Sequence, residues 1–424
     1  MRILEFGGFL GLGGTEKAMC SWSTKLKSRG HEVIVLAMRD GTRKAELQRA
    51  GIEVVICDWK VSTVTKLLLD VRPDVIHSHS PGTPAEADVV GEAARRALDI
   101  PLVETNIFGR LQNPSDRWTN FRLFISWTSC VQAVRRSFRK LDETFFRYAS
   151  VATYPIDPVS APTENEIVFF RRQLGIEEHD ILFGRLSRPE PNKWTDLALQ
   201  GFRRAASTNQ RIKLLLREPP SQVTRDLQSA PDRDRFVILP ATANEKELTL
   251  TLAGLDAVLH TSIIGESFGY GIAEPMNLGK PVIANSTPWG DQAQIELVRH
   301  GECGFIASTP ETISAAILAL ADNGELRARL GQAAQAHIRE LAAPERSLDR
   351  LETALRLAIS REPNPHAEED LATARRAARY LDANQLGHSA REWWALGPKY
   401  YWSRLHQLRA VLAERRARAD NRRD

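Results

Sequence analysis

The chain has 424 residues, enough for two or three domains with full cores, and its composition, 42% apolar and 26% charged, excludes a disordered or low-complexity protein. Its 57 basic and 53 acidic residues leave a net charge of +4, which makes no whole-chain case for nucleic-acid binding. The four cysteines (Cys20, Cys57, Cys130 and Cys303) stand far apart without CxxC spacing, which excludes a zinc knuckle or a disulfide framework and points to a reducing, cytoplasmic setting.

The opening MRILEF runs straight into a strand and a glycine turn, so no signal peptide is expected, and no apolar run approaches the ~18 residues of a membrane span. Strands are predicted at RILEF, EVIVLAM, EVVICD, DVIHSH and PLVETN, with amphipathic helices such as Thr15 to Arg29 between them. This alternation predicts a parallel sheet covered on both faces.

Three places in this half carry polar chemistry. "FGGFLGLGGTEKAM", residues 6–19, joins a strand to a helix. Thr15 is predicted to cap that helix, while Gly13 and Gly14 leave room beside its N-terminus. The turn fails the G-x-G-x-x-G spacing, with Glu16 where the last glycine belongs, and lacks the GK[ST] of a phosphate-binding Walker loop. "PDVIHSHSPG" puts His77 and His79 on one face of a strand. A metal pair is conceivable there, but no further ligand run accompanies it, and His79 is predicted to line a binding cleft. In "PLVETNIFGR", Asn106 can hydrogen-bond a hydroxyl but cannot titrate.

"YPIDPVSAPTEN", residues 154–165, holds three prolines and reads as a linker. The alternation then restarts at DILFGRL, RIKLLLRE, RFVILPA, LDAVLHTS and PVIAN, which divides the chain into domains at 1–157 and 165–340. "FGRLSRPEPNKW", residues 183–194, follows the first strand of the second domain. Loops at the carboxyl ends of strands are where α/β sheets bind ligands, and this one offers Arg185, Arg188 and Lys193. "PDRDRF", residues 231–236, contains a D-x-D but precedes a strand, and is read as a turn.

"GESFGYGIAEPMNLGKPVIAN", residues 265–285, is the most informative stretch. Proline is harmless only near a helix N-terminus, so Pro275 predicts a helix beginning at about Ile272, ended by Gly279. The amides of Phe268, Gly269, Tyr270 and Gly271 would then face a phosphate at the positive helix end. Glu274 in the first turn could hold ribose hydroxyls, and Glu266 on the preceding loop a second sugar. Phosphate donors between two polyol-binding acids suggest a nucleotide sugar.

Beyond residue 340 the strands stop. A helical extension, 341–424, is broken by Pro363 and Pro365 and ends in "REWWALGPKYYWSRLHQLRAVLAERRARADNRRD". Its cluster of Trp393, Trp394, Tyr400 and Tyr401 is predicted to bury a packing contact with the first domain, ahead of a solvated basic tail. A membrane or nucleic-acid contact through that tail is the less favoured reading.

"ESFGYGIAEPMNLGKPVIA" resembles the E-x7-E signature of retaining glycosyltransferases of GT-B fold, family 4, with Pro275 where many members have alanine. The resemblance runs along roughly residues 1–345. It implies an α/β GT-B fold, two Rossmann-like domains facing across a cleft. It also implies that Glu266 contacts the donor sugar and Glu274 the ribose, that Lys193 with Arg188 or Arg185 grips the diphosphate, and that the Gly13–Gly14 turn lies against the donor phosphate. Arg188, with the usual five-residue spacing from Lys193, is the expected arginine, and Arg185, with the usual glycine before it, is the alternative. Asn106 stands where many relatives have a histidine.

The expected activity is metal-independent transfer of a sugar from a UDP- or GDP-linked donor, without a cofactor, to an acceptor that the resemblance does not identify. Other readings are a nucleotide-sugar 2-epimerase, an NAD oxidoreductase using Asp40 at the end of EVIVLAMRD, and a non-catalytic nucleotide-sugar binder.

Overall fold

Runs of Ile, Leu, Val and Phe flanked by glycine or charge become short strands buried on both faces. The computed structural model describes residues 1–80, 84–111 and 117–420, with the backbone alone at 80, 84–88 and 410–420. The Pro-Gly that ends "PDVIHSHSPG" and the last four residues of the basic tail lie outside the described residues. The chain divides into two units, Met1–Pro155 with Ala342–Arg379, and Ile156–Leu341 with Tyr380–Asp424. The second unit thus starts inside the proline-rich segment, and the C-terminal helices are shared between the units instead of forming a separate third piece.

The first unit holds a seven-stranded, all-parallel Rossmann-like sheet in the order β3-β2-β1-β4-β5-β6-β7. Its strands are β1 (Arg2–Phe9), β2 (Glu32–Arg39), β3 (Glu53–Ile56), β4 (Val75–Ser80), β5 (Leu102–Asn106), β6 (Phe121–Phe124) and β7 (Ala149–Val151). Leu4, Phe6, Ile34, Leu36, Ile76 and Leu102 pack one face against Val64, Leu68 and Val90 of two helices. A helix from the far end of the chain, Pro344–Ser360, belongs to this unit and buries Leu348, Leu351 and Leu355. The buried Trp22 indole donates to Ser347 Oγ at 2.9 Å, and that hydroxyl donates on to the Thr153 carbonyl at 2.6 Å. Asp370 is fully buried and accepts from Ser150 Oγ at 2.7 Å and Asn364 Nδ2 at 2.9 Å. Residues 342–379 are therefore structural parts of the first unit.

The second unit holds a six-stranded parallel sheet in the order β10-β9-β8-β11-β12-β13. Its strands are β8 (Ile181–Leu186), β9 (Ile212–Arg217), β10 (Phe236–Leu239), β11 (Ala257–His260), β12 (Val282–Ala284) and β13 (Gly304–Ile306). Phe183, Leu214, Leu216 and Leu259 meet Phe202, Ile313, Ile317 and Leu320 in its core. In each sheet the strand order reverses once, between β1 and β4 and between β8 and β11. Ligands of open α/β sheets bind beyond the carboxyl ends of the strands at such crossings.

All ten predicted strands are present. Three more, β6, β7 and β13, carry only three or four residues each. Thr15 does not cap its helix. The helix begins at Gly14 with Gly13 in the cap position, because the glycine turn tightens two residues earlier than the threonine suggests.

At the crossing of the first sheet, Glu5 of β1 lies between His77 and His79 of β4, and all three are buried. Glu5 Oε2 is 2.9 Å from His77 Nδ1 and 3.2 Å from His79 Nε2, and His77 Nε2 meets Thr105 Oγ1 at 2.7 Å. Burial pushes the Glu5 carboxyl up, but His77 and His79 outweigh it and hold it at about 2. Burial lowers His79 below the usual histidine value.

Both shifts are downward, so both groups stabilise the fold above their unfolded values, about 6.5 for His79 and 4.5 for Glu5. That stability is lost as pH falls through each window. The melting temperature is expected to fall from about pH 6.5 downward and more steeply below about 4.5. Glu5→Gln should lose about 1–3 kcal/mol at pH 7 and flatten the lower limb. An unchanged slope below pH 4.5 would show that Glu5 does not carry it.

Candidate active site

At the crossing of the second sheet, β8 and β11 end side by side and deliver Arg185 and His260. Two loops continue from them, residues 187–195 and 261–269. Backbone pairing joins the loops where Ile263 N donates to the Asn192 carbonyl at 3.0 Å. Lys193 and Glu266 meet across this junction, Nζ to Oε1 2.6 Å, each side chain about 15% exposed. Lys193 also donates to the Gly265 carbonyl at 3.3 Å. His260 Nε2 lies 3.0 Å from the same Glu266 oxygen.

Burial pushes the Glu266 carboxyl up, but the His260 hydrogen bond and the Lys193 charge prevail and hold it at about 2. It is an anion at neutral pH. His260 is driven the other way: burial lowers it, and the Glu266 contact offsets this only in part. Glu266 is held by its backbone as well, with its N–H to Gln294 Oε1 at 3.0 Å and its carbonyl to Ala293 N at 2.8 Å.

Gly265 shapes the turn before Glu266. It sits at φ 72°, and a Cβ there would lie 1.8 Å from the Asp291 carbonyl, so only glycine fits. Gly269, at φ 102°, turns the chain into the helix Tyr270–Asn277. This corrects the predicted start at Ile272. Pro275 is the sixth residue of the helix, past the harmless positions, and leaves the Gly271 carbonyl without its ladder donor. Glu274 is correspondingly the fifth residue, two residues deeper than predicted, and half-buried. Gly279, at φ 74°, ends the helix as expected, with Lys280 N donating to the Pro275 carbonyl at 2.9 Å in a Schellman closure. Phe268 is buried against Tyr270, their centroids 5.1 Å apart.

The two candidate arginines differ in placement. Arg188 is 59% exposed and pairs with Glu190 at 3.0 Å. Arg185 is buried, donates to Thr261 Oγ1 at 2.9 Å and to the Thr261 and Lys193 carbonyls, and lies under the Trp194 ring, 4.6 Å from its centroid. Burial lowers its pKa to about 10, which leaves it charged at neutral pH. It braces the backbone that carries Lys193.

In the first unit, Gly13 begins the helix after the glycine turn and Gly14 is its first residue. A Cβ on Gly13 would meet the Glu16 carboxylate at 2.2 Å. His79 is turned to Glu5, and Asn106 is fully buried, exchanging hydrogen bonds with the backbone of Arg110, so neither is presented at a surface. Asp40 is tied to Lys44 and the Gly41 N–H, both at 2.7 Å. The D-x-D is a turn, with Asp232 held by Arg203 at 2.8 Å.

Sequence reasoning missed His260, Gln294 and Glu5. His260 closes a strand at the sheet crossing, a usable signal. Glu5, which completes the one group among the described residues that could hold a metal, is 72 positions from His77.

Residues 13–181 match a family profile described as glycosyl transferase 4-like domain, and residues 167–337 one described as glycosyl transferases group 1. No curated protein sequence matches the chain. Anabaena HepE in complex with UDP and glucose is similar in structure, with TM-score 0.70 at 19% identity over 84% of this chain and 99% of that one. A glycosyltransferase from Rickettsia africae gives 0.69 at 16% identity, covering 84% and 98%. WaaG, a glycosyltransferase involved in lipopolysaccharide biosynthesis, gives 0.61 at 13%, covering 82% and 99%. Two glycosyltransferase profiles in succession, on a pair of Rossmann-like sheets shared with solved glycosyltransferases, support a glycosyltransferase family of GT-B fold for this chain.

Proposed function

We propose that the chain is a retaining, family 4-type glycosyltransferase that moves a sugar from a nucleotide-sugar donor to an acceptor nucleophile. The observation that carries this reading is the Lys193–Glu266–His260 constellation, which sits at the carboxyl end of the second sheet and just before a glycine-initiated helix. The helix N-terminus and Lys193 meet the diphosphate, Glu274 the ribose and Glu266 the transferred sugar. The likeness to HepE, solved with UDP-glucose, favours a UDP-linked donor over a GDP-linked one. Charge stabilisation of the departing diphosphate and fixed positioning supply the catalysis, and a phosphate oxygen of the leaving group takes the acceptor's proton.

Melting curves with a panel of UDP- and GDP-sugars should show a rise for one nucleotide series, since a ligand that binds only the native state raises its stability. Release of nucleoside diphosphate with an acceptor pool should follow the same donor. Binding without any turnover would favour the non-catalytic reading. Activity is also expected to persist in excess EDTA, because the Glu5 carboxylate is engaged by both His77 and His79 within the buried sheet. Abolition by EDTA with rescue by one divalent cation would overturn the metal-independent reading.

A further inference from the structure

The helix Ala390–Asp420 is docked on the second unit along one side only. The buried Glu392 carboxylate accepts from Ser308 N at 2.6 Å, Thr312 Oγ1 at 2.9 Å and His388 N at 2.8 Å, and Leu396 is buried one turn on. At 3.6 residues per turn the opposite side carries Trp394, Pro398, Tyr401, Leu405 and Leu408, a stripe at alternating steps of four and three, with Trp402 beside it. Trp394 is 71% exposed, Trp402 61% and Tyr401 58%, and the two leucines face solvent as well. Trp394 and Tyr401, predicted to be buried, face outward because Glu392 and Leu396 take the inner face. A contiguous apolar stripe of this kind marks an interaction surface, unlike scattered exposed side chains.

Charge narrows the partner. From Arg391 to the C-terminus the sequence has nine basic and four acidic residues, a net +5 where the whole chain carries only +4. Arg391 and Arg409 are exposed and border the stripe, with Arg404 half-exposed on its other edge. We propose that this face lies on an anionic lipid surface. Tryptophan and tyrosine seat at headgroup depth, leucine reaches the acyl boundary, and the arginines meet lipid phosphates. No helix among the described residues is long and apolar enough to cross a membrane, so the contact lies in the plane of the interface. Nucleic acid would engage the arginines but leave Leu405 and Leu408 in water. A second copy would bring two like-charged segments together.

Flotation of the full chain with vesicles tests this. Binding to phosphatidylcholine–phosphatidylglycerol vesicles should exceed binding to phosphatidylcholine alone by at least about tenfold. Vesicle addition should also shift tryptophan emission to shorter wavelength. A Trp394→Ser, Tyr401→Ser, Trp402→Ser triple variant should melt like the wild type and lose binding by at least about tenfold. Arg404→Gln and Arg409→Gln should each cost about fivefold and weaken the salt dependence. Four results would overturn the proposal. They are no preference for anionic vesicles, equal binding by the triple variant, displacement of the protein from vesicles by duplex DNA at physiological salt, and a wild-type dimer in light scattering that the triple variant dissolves.

Discussion

Lys193→Ala is expected to cut sugar transfer by about 100- to 1,000-fold, the range for removing one preorganised donor to a developing anion. The lysine is the cation held against Glu266 at the strand-end junction, and in the proposed reaction its charge counters the departing diphosphate. Removing it also takes away one of the two groups that hold the Glu266 carboxyl down, so its pKa should rise. The loss should fall mainly on kcat, because a charge that counters the leaving diphosphate acts most in the transition state. Melting of the variant near the wild-type temperature keeps the comparison one of chemistry. Near-normal turnover would remove Lys193 from the site. The arginines are separated by the same assay. Arg188→Ala, at an exposed pair with Glu190, should stay within about threefold of wild type. Arg185→Lys should lose activity by displacing the backbone that carries Lys193. A severe loss in Arg188→Ala with Arg185→Lys unaffected would restore the five-residue spacing as the guide.

Titration calorimetry with free UDP should divide the two glutamates. Glu274→Ala is expected to weaken nucleoside-diphosphate binding by about ten- to a hundredfold, the loss of a charge-assisted hydrogen bond at ~1.5–3 kcal/mol. Glu266→Gln should leave that affinity nearly unchanged while impairing donor-sugar binding or turnover. The distinction follows from position. Glu274 stands on the helix whose N-terminus would take the phosphates, whereas Glu266 stands on the loop and is engaged by Lys193 and His260. Equal weakening of UDP binding by both variants would contradict the division of roles, and an effect from neither, with transfer intact, would leave both as structural charges.

The local sequence was enough to place ten of the strands, the proline-rich passage between two α/β units and the glutamate pair. Each of these rests on neighbours in the chain: apolar runs bounded by turn residues, proline's missing N–H, and an acid at fixed spacing around glycines. The short strands β6, β7 and β13 were not legible. Their short runs do not stand out from the flanking chain, and they become strands by pairing with the free edge of a neighbouring strand. The helix at Tyr270 starts two residues before the point that Pro275 implies, because Gly269 can adopt φ 102° and turn the chain early. Long-range partners were equally hidden. Glu5 joins His77 and His79 only through sheet pairing, Arg185 and Arg188 separate only when β8 buries one of them, and Gln294 reaches the Glu266 amide from a later helix, Ala293–Leu297.

The sequence by itself determined the class of fold and carried the glycosyltransferase resemblance, since apolar periodicity, turn residues and the E-x7-E spacing are properties of adjacent positions. Tertiary structure alone decided which charges meet, which are buried and which way a helix faces. These depend on packing between segments tens to hundreds of residues apart. The outward aromatic stripe of the last helix shows the difference. Its residues can be read along the chain, but their exposure follows from Glu392 and Leu396 taking the inner side.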